Sequence, residues 1–534
     1  MKKKKRKKIL REWSLPKNRH FNFQLISQYS NYKNQDNSSS LSEKTLIDLD
    51  FNRFFEFADR TSSAIGQQYL YHQFISQKSN EDNLKNQESA VQFYDSHPDN
   101  RLNSQLLLHK LEKPNDYYFP YLIFSELPKK IYNSWLILFL QLSIIISILL
   151  IFVNPIFFLA TILTFTANLF FHYAHKNKIG NFTIYFSRLS SLANSLRKLI
   201  PLSNISASKK SNLISDIKQI EGITSQVLFL KTDNLQNSEI GSVFWFVFEL
   251  IKVATLSEIV VFNKLVNKIR HSRPQIEQVY IALGQIDVAI SICSLRAGLE
   301  YFSIPHFLGQ EKELTVKDLY HPLVQDCIPN DISLKNKGLL LTGSNMAGKS
   351  TFIKALNLNA LSAQVINTSF TNTYVAPRWQ LMTSMTIKDN ITENSSYYLE
   401  EVHSIGQLIE ASEETKQQYL FTIDEIFKGT NTIERISTAK AILEYINKHH
   451  HMILVSTHDI ELTKLLNSGF DLYYFQESVS DNQLVFDYKI QKGTLQKSNA
   501  IRLLEITGYP KTITDEARKM AVKLVEEKTG LDLD

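Results

Sequence analysis

Two short runs in this sequence have the residue types and spacing to handle a nucleotide. Gly343-Ser344-Asn345-Met346-Ala347-Gly348-Lys349-Ser350 fits the pattern G-x-x-x-x-G-K-[ST]. The apolar run Gly338-Leu339-Leu340-Leu341-Thr342 precedes it, and Thr351-Phe352-Ile353-Lys354-Ala355-Leu356 comes after it in a helical pattern. A buried strand, a glycine-rich turn and a helix start form the context in which this motif binds phosphate. Glycines let backbone N–H groups turn inward around phosphate oxygens, and the helix N-terminus adds a favourable dipole. Lys349 would then reach the β- and γ-phosphates of ATP, and the Ser350 hydroxyl would ligate Mg²⁺.

A second apolar run, Tyr419-Leu420-Phe421-Thr422-Ile423, ends in Asp424-Glu425. Two carboxylates at the tip of a buried strand must be paired or put to use, because desolvating them is costly. Asp424 is expected in the Mg²⁺ shell and Glu425 as the general base that polarises the attacking water. A third run, Met452-Ile453-Leu454-Val455-Ser456, leads into Thr457-His458. A histidine at a strand tip of the same sheet is placed to sense the γ-phosphate.

These runs need a frame, and the rest of the chain supplies one. The 534 residues suffice for about three or four domains of about 150 residues. Hydrophobic residues make up 43% and charged residues 21% of the chain, which excludes collagen-like and wholly disordered classes. The net charge is +6, from 59 Lys and Arg against 53 Asp and Glu. Most of that excess lies in the opening block Met1-Lys2-Lys3-Lys4-Lys5-Arg6-Lys7-Lys8, which has no apolar stretch behind it and so is not a secretory signal. It reads as a solvated arm able to meet anionic lipid or nucleic acid, followed by a polar linker ending in Asn37-Ser38-Ser39-Ser40. Cys293 and Cys327 are the two cysteines, too few for a disulfide framework or a Cys-rich metal site. Helical patterning dominates from about Ser42 to about residue 300. Beyond 310, short apolar strands alternate with helices, the texture of a parallel α/β domain.

From Ile131 to Phe171 there is no Asp, Glu, Lys or Arg. Trp135 to Val153 matches one bilayer crossing at about 20 residues per span. Asn154-Pro155 marks a turn, and Pro155 to Phe171 gives a second apolar stretch. Lys129 and Lys130 lie before this segment and Lys176 and Lys178 after it. The expectation is a transmembrane helical hairpin, about 133–153 and 155–173, with both flanks cytoplasmic. Ile240 to Phe262 is also apolar but contains Glu249, Lys252 and Glu258, so it is expected as a core or membrane-surface helix.

At this point a family likeness is visible. Thr342 to Thr351 resembles the Walker A loop of the MutS family, with its Asn-Met pair. Asp424-Glu425-Ile426-Phe427-Lys428-Gly429-Thr430-Asn431-Thr432 resembles that family's Walker B segment, and Ser456-Thr457-His458-Asp459-Ile460-Glu461-Leu462 its switch-histidine segment. His321-Pro322, Ile328-Pro329-Asn330-Asp331, Asn390 to Glu401, and Ser498-Asn499-Ala500 through Gly508-Tyr509-Pro510 to Glu516-Ala517 extend the likeness over about 310–530. Asp59-Arg60-Thr61-Ser62-Ser63-Ala64-Ile65-Gly66-Gln67-Gln68-Tyr69-Leu70 resembles the start of the family's helical core.

The resemblance implies a mixed fold: an α-helical core or lever region carrying the inserted two-helix hairpin, then an α/β P-loop ATPase domain of ABC/MutS type. The expected parts are a basic arm and linker (1–42), the start of the helical core (43–130), the hairpin (131–174), the core or lever region (175–309) and the ATPase domain with closing dimerisation helices (310–534). It also implies a homodimer with composite nucleotide sites, to which Ile328 and Asn431 would belong, Asn431 replacing a serine that faces the partner's γ-phosphate. Arg435 stands where the family usually has glycine. No Phe-x-Glu wedge is present in the first 45 residues, which removes the known device for unstacking a mismatched base. The expected function is a membrane-anchored, multi-pass MutS-like ATPase with its ATPase domain and both termini cytoplasmic, coupled to mismatched or branched DNA in a repair-like role. Between 177 and 239, eight Lys and Arg against four acids give a mild basic excess in favour of DNA. The alternative is an ATP-driven switch at the membrane acting on a protein or lipid. A transporter ATPase would want a signature of the Leu-Ser-Gly-Gly-Gln kind, which Gly429-Thr430-Asn431-Thr432 is not.

Overall fold

The computed structural model describes residues 2–33, 40–77, 80–230, 239–344, 346–385, 397–427, 430–480, 483–495 and 500–530. They form a mixed helical and α/β protein in two compact units. The first comprises Met1–Asn37, Ala58–Ile75 and Glu81–Gly298, and the second Ser38–Phe57, Ser76–Asn80 and Leu299–Asp534.

Among the described residues, the second unit has the strands β1 (His306–Phe307), β2 (Glu313–Leu319), β3 (Asn330–Lys335), β4 (Gly338–Thr342), β5 (Thr373–Ala376), β6 (Gln380–Ser384), β7 (Tyr419–Asp424), β8 (Met452–Thr457), β9 (Phe470–Ser480) and β10 (Gln483–Lys492). Six of them form one sheet in the order β10-β9-β4-β8-β7-β6, and four form another in the order β1-β5-β2-β3. From β9 to β6 the larger sheet is parallel. Its central strands are apolar without alternation, as befits a sheet covered on both faces; Leu340, Phe421, Ile423, Ile453 and Val455 are all buried in one core with Leu443 and Ile446 of the Thr432–Asn447 helix.

At the outer side of this sheet, β6 carries outward N–H groups at alternate residues. Leu381 N–H donates to Gln77 Oε1 (3.1 Å), Thr383 N–H to Thr45 Oγ1 (3.3 Å) and Met385 N–H to Asp48 Oδ2 (3.0 Å). Side chains thus meet donors that an edge strand would otherwise leave open. The Thr383 hydroxyl also donates to Asp48 (2.7 Å), and Phe54 and Phe57 lie against the Phe370 ring. Ser38–Phe57 and Ser76–Asn80, expected in the linker and the helical core, thus group with Leu299–Asp534 in the α/β unit.

The first unit is helical. Its centre is the Arg273–Arg296 helix, apolar enough to cross a membrane but with 83% of its apolar window buried inside the protein, so it is a core helix. The opening lysines from Lys3 to Lys8 are exposed, yet the segment is docked. Lys2–Arg11 is helical with Ile9 buried, the Arg101 guanidinium stacks on the Trp13 ring at 3.9 Å, Ser14 N–H donates to Ser294 Oγ (3.2 Å), and Tyr29 stacks on Tyr280 at 4.7 Å. A few apolar and aromatic residues anchor the segment while its lysines stay in water. Asn37 to Ser39 of the expected linker lie outside the described residues.

The hairpin consists of Ser134–Ile151 and Phe157–Tyr173. Asn133 Oδ1 accepts from Trp135 N–H to start the first helix, Asn154 Oδ1 accepts from Ile156 N–H in the turn, and Ser147 and Thr164 hydroxyls meet between the helices at 3.2 Å. In the first helix 22% of the apolar window is buried, and Trp135, Phe139, Leu149, Leu159 and Leu163 of the pair are exposed.

Two buried aspartates fix the loop at 59–63. Asp287 accepts N–H groups from Ser62 and Ser63 (both 2.8 Å) and the Ser63 hydroxyl (2.5 Å). Asp59 accepts from Arg19, Thr61 and Gln67. Burial would raise the Asp59 carboxyl, but Arg19 and the Thr61 hydrogen bonds outweigh it and hold it below the usual range. At Asp287 burial prevails over its hydrogen bonds and pushes the carboxyl up to about 6. The native state then holds that proton more tightly than the unfolded chain, so this group's contribution to stability declines as pH rises from about 4 to about 6, by on the order of 3 kcal/mol. Denaturant melts of the protein in detergent should show this slope, and Asp287→Asn should reduce it.

Candidate functional site

Three parallel strands bring the chemistry to one edge. Strand β8 lies between β4 and β7, with Thr342 beside Thr457 and Asp424 beside Ser456. The C-terminal ends of all three therefore face the same way, the edge at which open α/β sheets bind ligands. The Lys349–Ile366 helix leaves β4 through the 343–348 turn, and Asn357 Nδ2 on that helix donates to Thr422 Oγ1 of β7 (2.8 Å), tying helix to sheet.

The turn requires two glycines. Gly343 has φ +144°, and a Cβ there would lie 2.7 Å from the Phe475 carbonyl oxygen. Gly348 has φ +100°, with the Tyr488 ring 3.3 Å from where a Cβ would sit. Lys349 is buried, its ammonium donating to the carbonyls of Gly343 (2.7 Å) and Ser344 (3.0 Å). Ala347 is buried and donates its N–H to Ser344 O (3.2 Å), Met346 is 66% exposed, and Thr351 is exposed in the first helical turn. Asn345 lies outside the described residues.

Asp424 is where the elements meet. Ser350 Oγ donates to its Oδ2 at 2.6 Å, and the Ser456 hydroxyl donates to its Oδ1. Glu425 continues the ladder, its N–H donating to Ser456 O (2.9 Å), and then adopts φ +57°; Phe427 comes two residues later at φ +56°. Left-handed backbone at non-glycine residues costs about 1–3 kcal/mol each and clusters at working sites. A buried carboxylate, Glu401, accepts the Phe427 N–H and helps hold this turn. The Glu425 carboxylate lies 3.7 Å from His458 Nδ1, and His458 Nε2 lies 3.9 Å from Asp459. Ser350, Asp424, Glu425 and His458 are thus gathered at one edge.

Ile328 and Asn431 approach from other elements. Ile328 is exposed, and its carbonyl accepts from Asn330 Nδ2, which also donates to Tyr488 O (2.9 Å); Tyr488 is the residue packed on Gly348. Asn431 caps the Thr432–Asn447 helix, its side-chain oxygen accepting the Glu434 N–H (3.0 Å), so the donor end of its side chain is the NH₂ group. Lys428 and Gly429, the 390–396 stretch and Ser498-Asn499 lie outside the described residues.

Sequence reasoning passed over Ser456, Tyr488, Glu401 and the Arg435–Asp459 pair. Arg435 binds Asp459 through Nε (2.9 Å) and NH2 (2.7 Å), and that hydrogen bond raises the guanidinium pKa. Ser456 carried a signal, being a hydroxyl at the end of a fully apolar strand; the others rest on tertiary proximity. Gly343→Ala is expected to lower the melting temperature, because a methyl group meets backbone oxygen at β9; a differential scanning measurement checks it, with Gly406→Ala, where nothing lies within 4 Å of the added methyl, as the tolerated control.

Comparison with known proteins agrees with this edge. Residues 339–525 match the family described as MutS domain V, a span that includes every strand tip described above. The DNA mismatch repair protein MutS of Caldanaerobacter subterraneus subsp. tengcongensis is 27% identical over 280 residues, 50% of this chain and 31% of that protein. MutS of Thermosipho melanesiensis is 29% identical over 281 residues, 51% of this chain and 34% of the relative. MutS of Thermus thermophilus is 25% identical over 276 residues, 51% and 33% respectively. The match thus spans about a third of the length of these relatives. Residues 339–525, with the 343–350 turn and the carboxylates at the end of β7, thus carry the likeness to MutS domain V.

Proposed function

We propose that this protein is a membrane-anchored ATPase of the MutS type that binds and hydrolyses ATP at the ends of β4, β7 and β8 and couples the cycle to DNA. The observation that carries the ATPase reading is the convergence of Ser350, Asp424, Glu425 and His458 beside a buried Lys349. The 343–350 turn and the helix start would hold the triphosphate, with Lys349 leaving the Gly343 and Ser344 carbonyls to meet the β- and γ-oxygens. Ser350 Oγ and the Asp424 carboxylate, hard oxygen donors 2.6 Å apart, suit Mg²⁺, which when bound shields the phosphate charge. Glu425 would orient and polarise the water, and His458, 3.7 Å from it, would register the γ-phosphate. Met346 and Ile433, 66% and 80% exposed on the 343–348 turn and beside Asn431, are surfaces that a second copy would cover. That supports a homodimer in which Asn431 offers its NH₂ group to the opposite nucleotide.

The DNA arm of the proposal rests on the relatives, which are named DNA mismatch repair proteins. The helical unit gives it modest electrostatic support: Lys198 is exposed, but Arg197 is paired with Glu221 and Lys209 donates to Gln285 (2.9 Å). The membrane arm rests on the hairpin, whose apolar side chains face outward along both helices, and on lysines at both flanks, which would set the ATPase domain and both termini on the cytoplasmic side. The same exposed hairpin favours a second reading, an ATP switch for a protein or lipid partner.

In nanodiscs, Glu425→Gln should cut ATP turnover about 10²–10⁴-fold while ATP still binds. With the native protein, hydrolysis or retention that responds to homoduplex, mismatched or branched DNA supports the DNA reading. Its affinity should then fall steeply with salt, and less steeply after charge reversal at Lys198 and Lys210. ATP turnover indifferent to every DNA would sink that reading in favour of the membrane switch.

A further inference from the structure

We infer that the Glu239–Thr255 helix enters the bilayer beside the hairpin as a re-entrant element, its outer face covered by lipid hydrocarbon. The inference rests on the membrane reading of the hairpin and adds a second lipid-facing element to it.

Its side chains are arranged inside out. Val243, Phe246, Val247, Leu250 and Ile251 are exposed, whereas Glu249 and Lys252 are buried, at 7% and 2% exposure. A helix on a protein surface in water buries its apolar stripe and shows its charges. The opposite arrangement is favourable where the surroundings are hydrocarbon and charges must find partners within the protein. The buried charges do find them. Lys176 pairs with Glu249, Lys252 Nζ lies 3.6 Å from the same carboxylate, and His172 Nε2 stands 3.6 Å from Glu249 and 3.4 Å from Glu258.

The contacts also set a direction. Glu249 meets Lys176 and His172 at the end of the hairpin's second helix. One and a half turns later, the Ala254 carbonyl accepts from Asn168 Nδ2 (2.9 Å) and the Thr255 carbonyl from Gln141 Nε2 (2.5 Å). Gln141 lies seven residues past Ser134, about 10 Å into the first helix at 1.5 Å per residue. The last carbonyls of a helix have no partner of their own, and in hydrocarbon each would be costly; here Asn168 and Gln141 of the hairpin meet two of them. Leu256 then takes φ +47° and the chain turns back. In the Ser257–His271 helix, Asn263 Oδ1 accepts from Ile131 N–H (2.9 Å), before the hairpin begins. That helix is the right way round for water, with Lys264, Lys268, Arg270 and His271 exposed. The chain thus passes from the base of the hairpin to the depth of Gln141 and Asn168 and returns, and its exposed surface changes from apolar to basic across the turn, the cationic side lying with the cytoplasmic flanks.

The test uses the full-length protein in nanodiscs, in a Cys327→Ser background, with an environment-sensitive fluorophore on single cysteines at Ile251, Phe246, Phe139 and Lys264, and with lipids brominated either near the headgroup or deep in the chain. Expected are strong quenching at Phe139 and at Ile251, with Ile251 responding more to the shallow bromines, weaker shallow quenching at Phe246, and none at Lys264. Quenching at Phe139 without any at Ile251 and Phe246 overturns this proposal and leaves the hairpin in the membrane; protection of Ile251 from lipid by a second copy gives that result too. Absence of quenching at all four positions overturns the membrane reading itself.

Discussion

A carboxylate at the end of a buried parallel strand must find donors, because the ladder stops there and the surrounding dielectric penalises an unpaired charge. Asp424 finds two hydroxyls, Ser350 from the helix after β4 and Ser456 from β8. Those two hydrogen bonds fix the separation of three strand tips and the rotation of the Lys349–Ile366 helix. Other features depend on that placement: the buried Lys349 bent back to its own turn, the left-handed step at Glu425, and the approach of His458 to Glu425.

Much of this edge was legible in the sequence because buried parallel strands are written as short apolar runs, and the residues just after each run have to emerge at the same side. Gly338–Thr342, Tyr419–Asp424 and Met452–Thr457 are strands, and their trailing residues meet. The illegible part depended on partners distant in the chain. Nothing in Thr45, Asp48 or Gln77 announces that they meet the N–H groups of β6, since any polar side chain of the right length would serve. The opening lysines suggested a solvated arm because charge outweighs one Ile and one Trp in any local average, yet those two residues are what dock the segment.

Among the described residues, composition alone does not tell apart the apolar helices Arg273–Arg296, Ser134–Ile151 and Glu239–Thr255. Arg273–Arg296 is enclosed by its own unit and carries Asp287, a buried acid that local N–H groups can satisfy. Ser134–Ile151 presents most of its side chains outward. Glu239–Thr255 is intermediate in composition, and its charges suggest a surface helix, whereas their burial shows that they point inward. Periodicity reports that two faces differ; it does not report which face meets the protein. For a helix next to a hairpin whose apolar side chains are exposed, that sign is the informative quantity.

Arg435 shows how one substitution can alter a site without entering it. A glycine at this place would leave Asp459 as a second carboxylate beside His458, 3.9 Å from Nε2. With arginine there, the two-point contact to Asp459 neutralises that carboxylate and ties the first turn of the Thr432–Asn447 helix to the loop after β8. The brace also holds Asn431, four residues earlier, at a fixed distance from the β8 tip, with the N-cap hydrogen bond to Glu434 setting its rotation. A rigid helix start of this kind would suit the subunit contact proposed for Asn431, because a donor that must reach another chain gains from losing its own freedom beforehand.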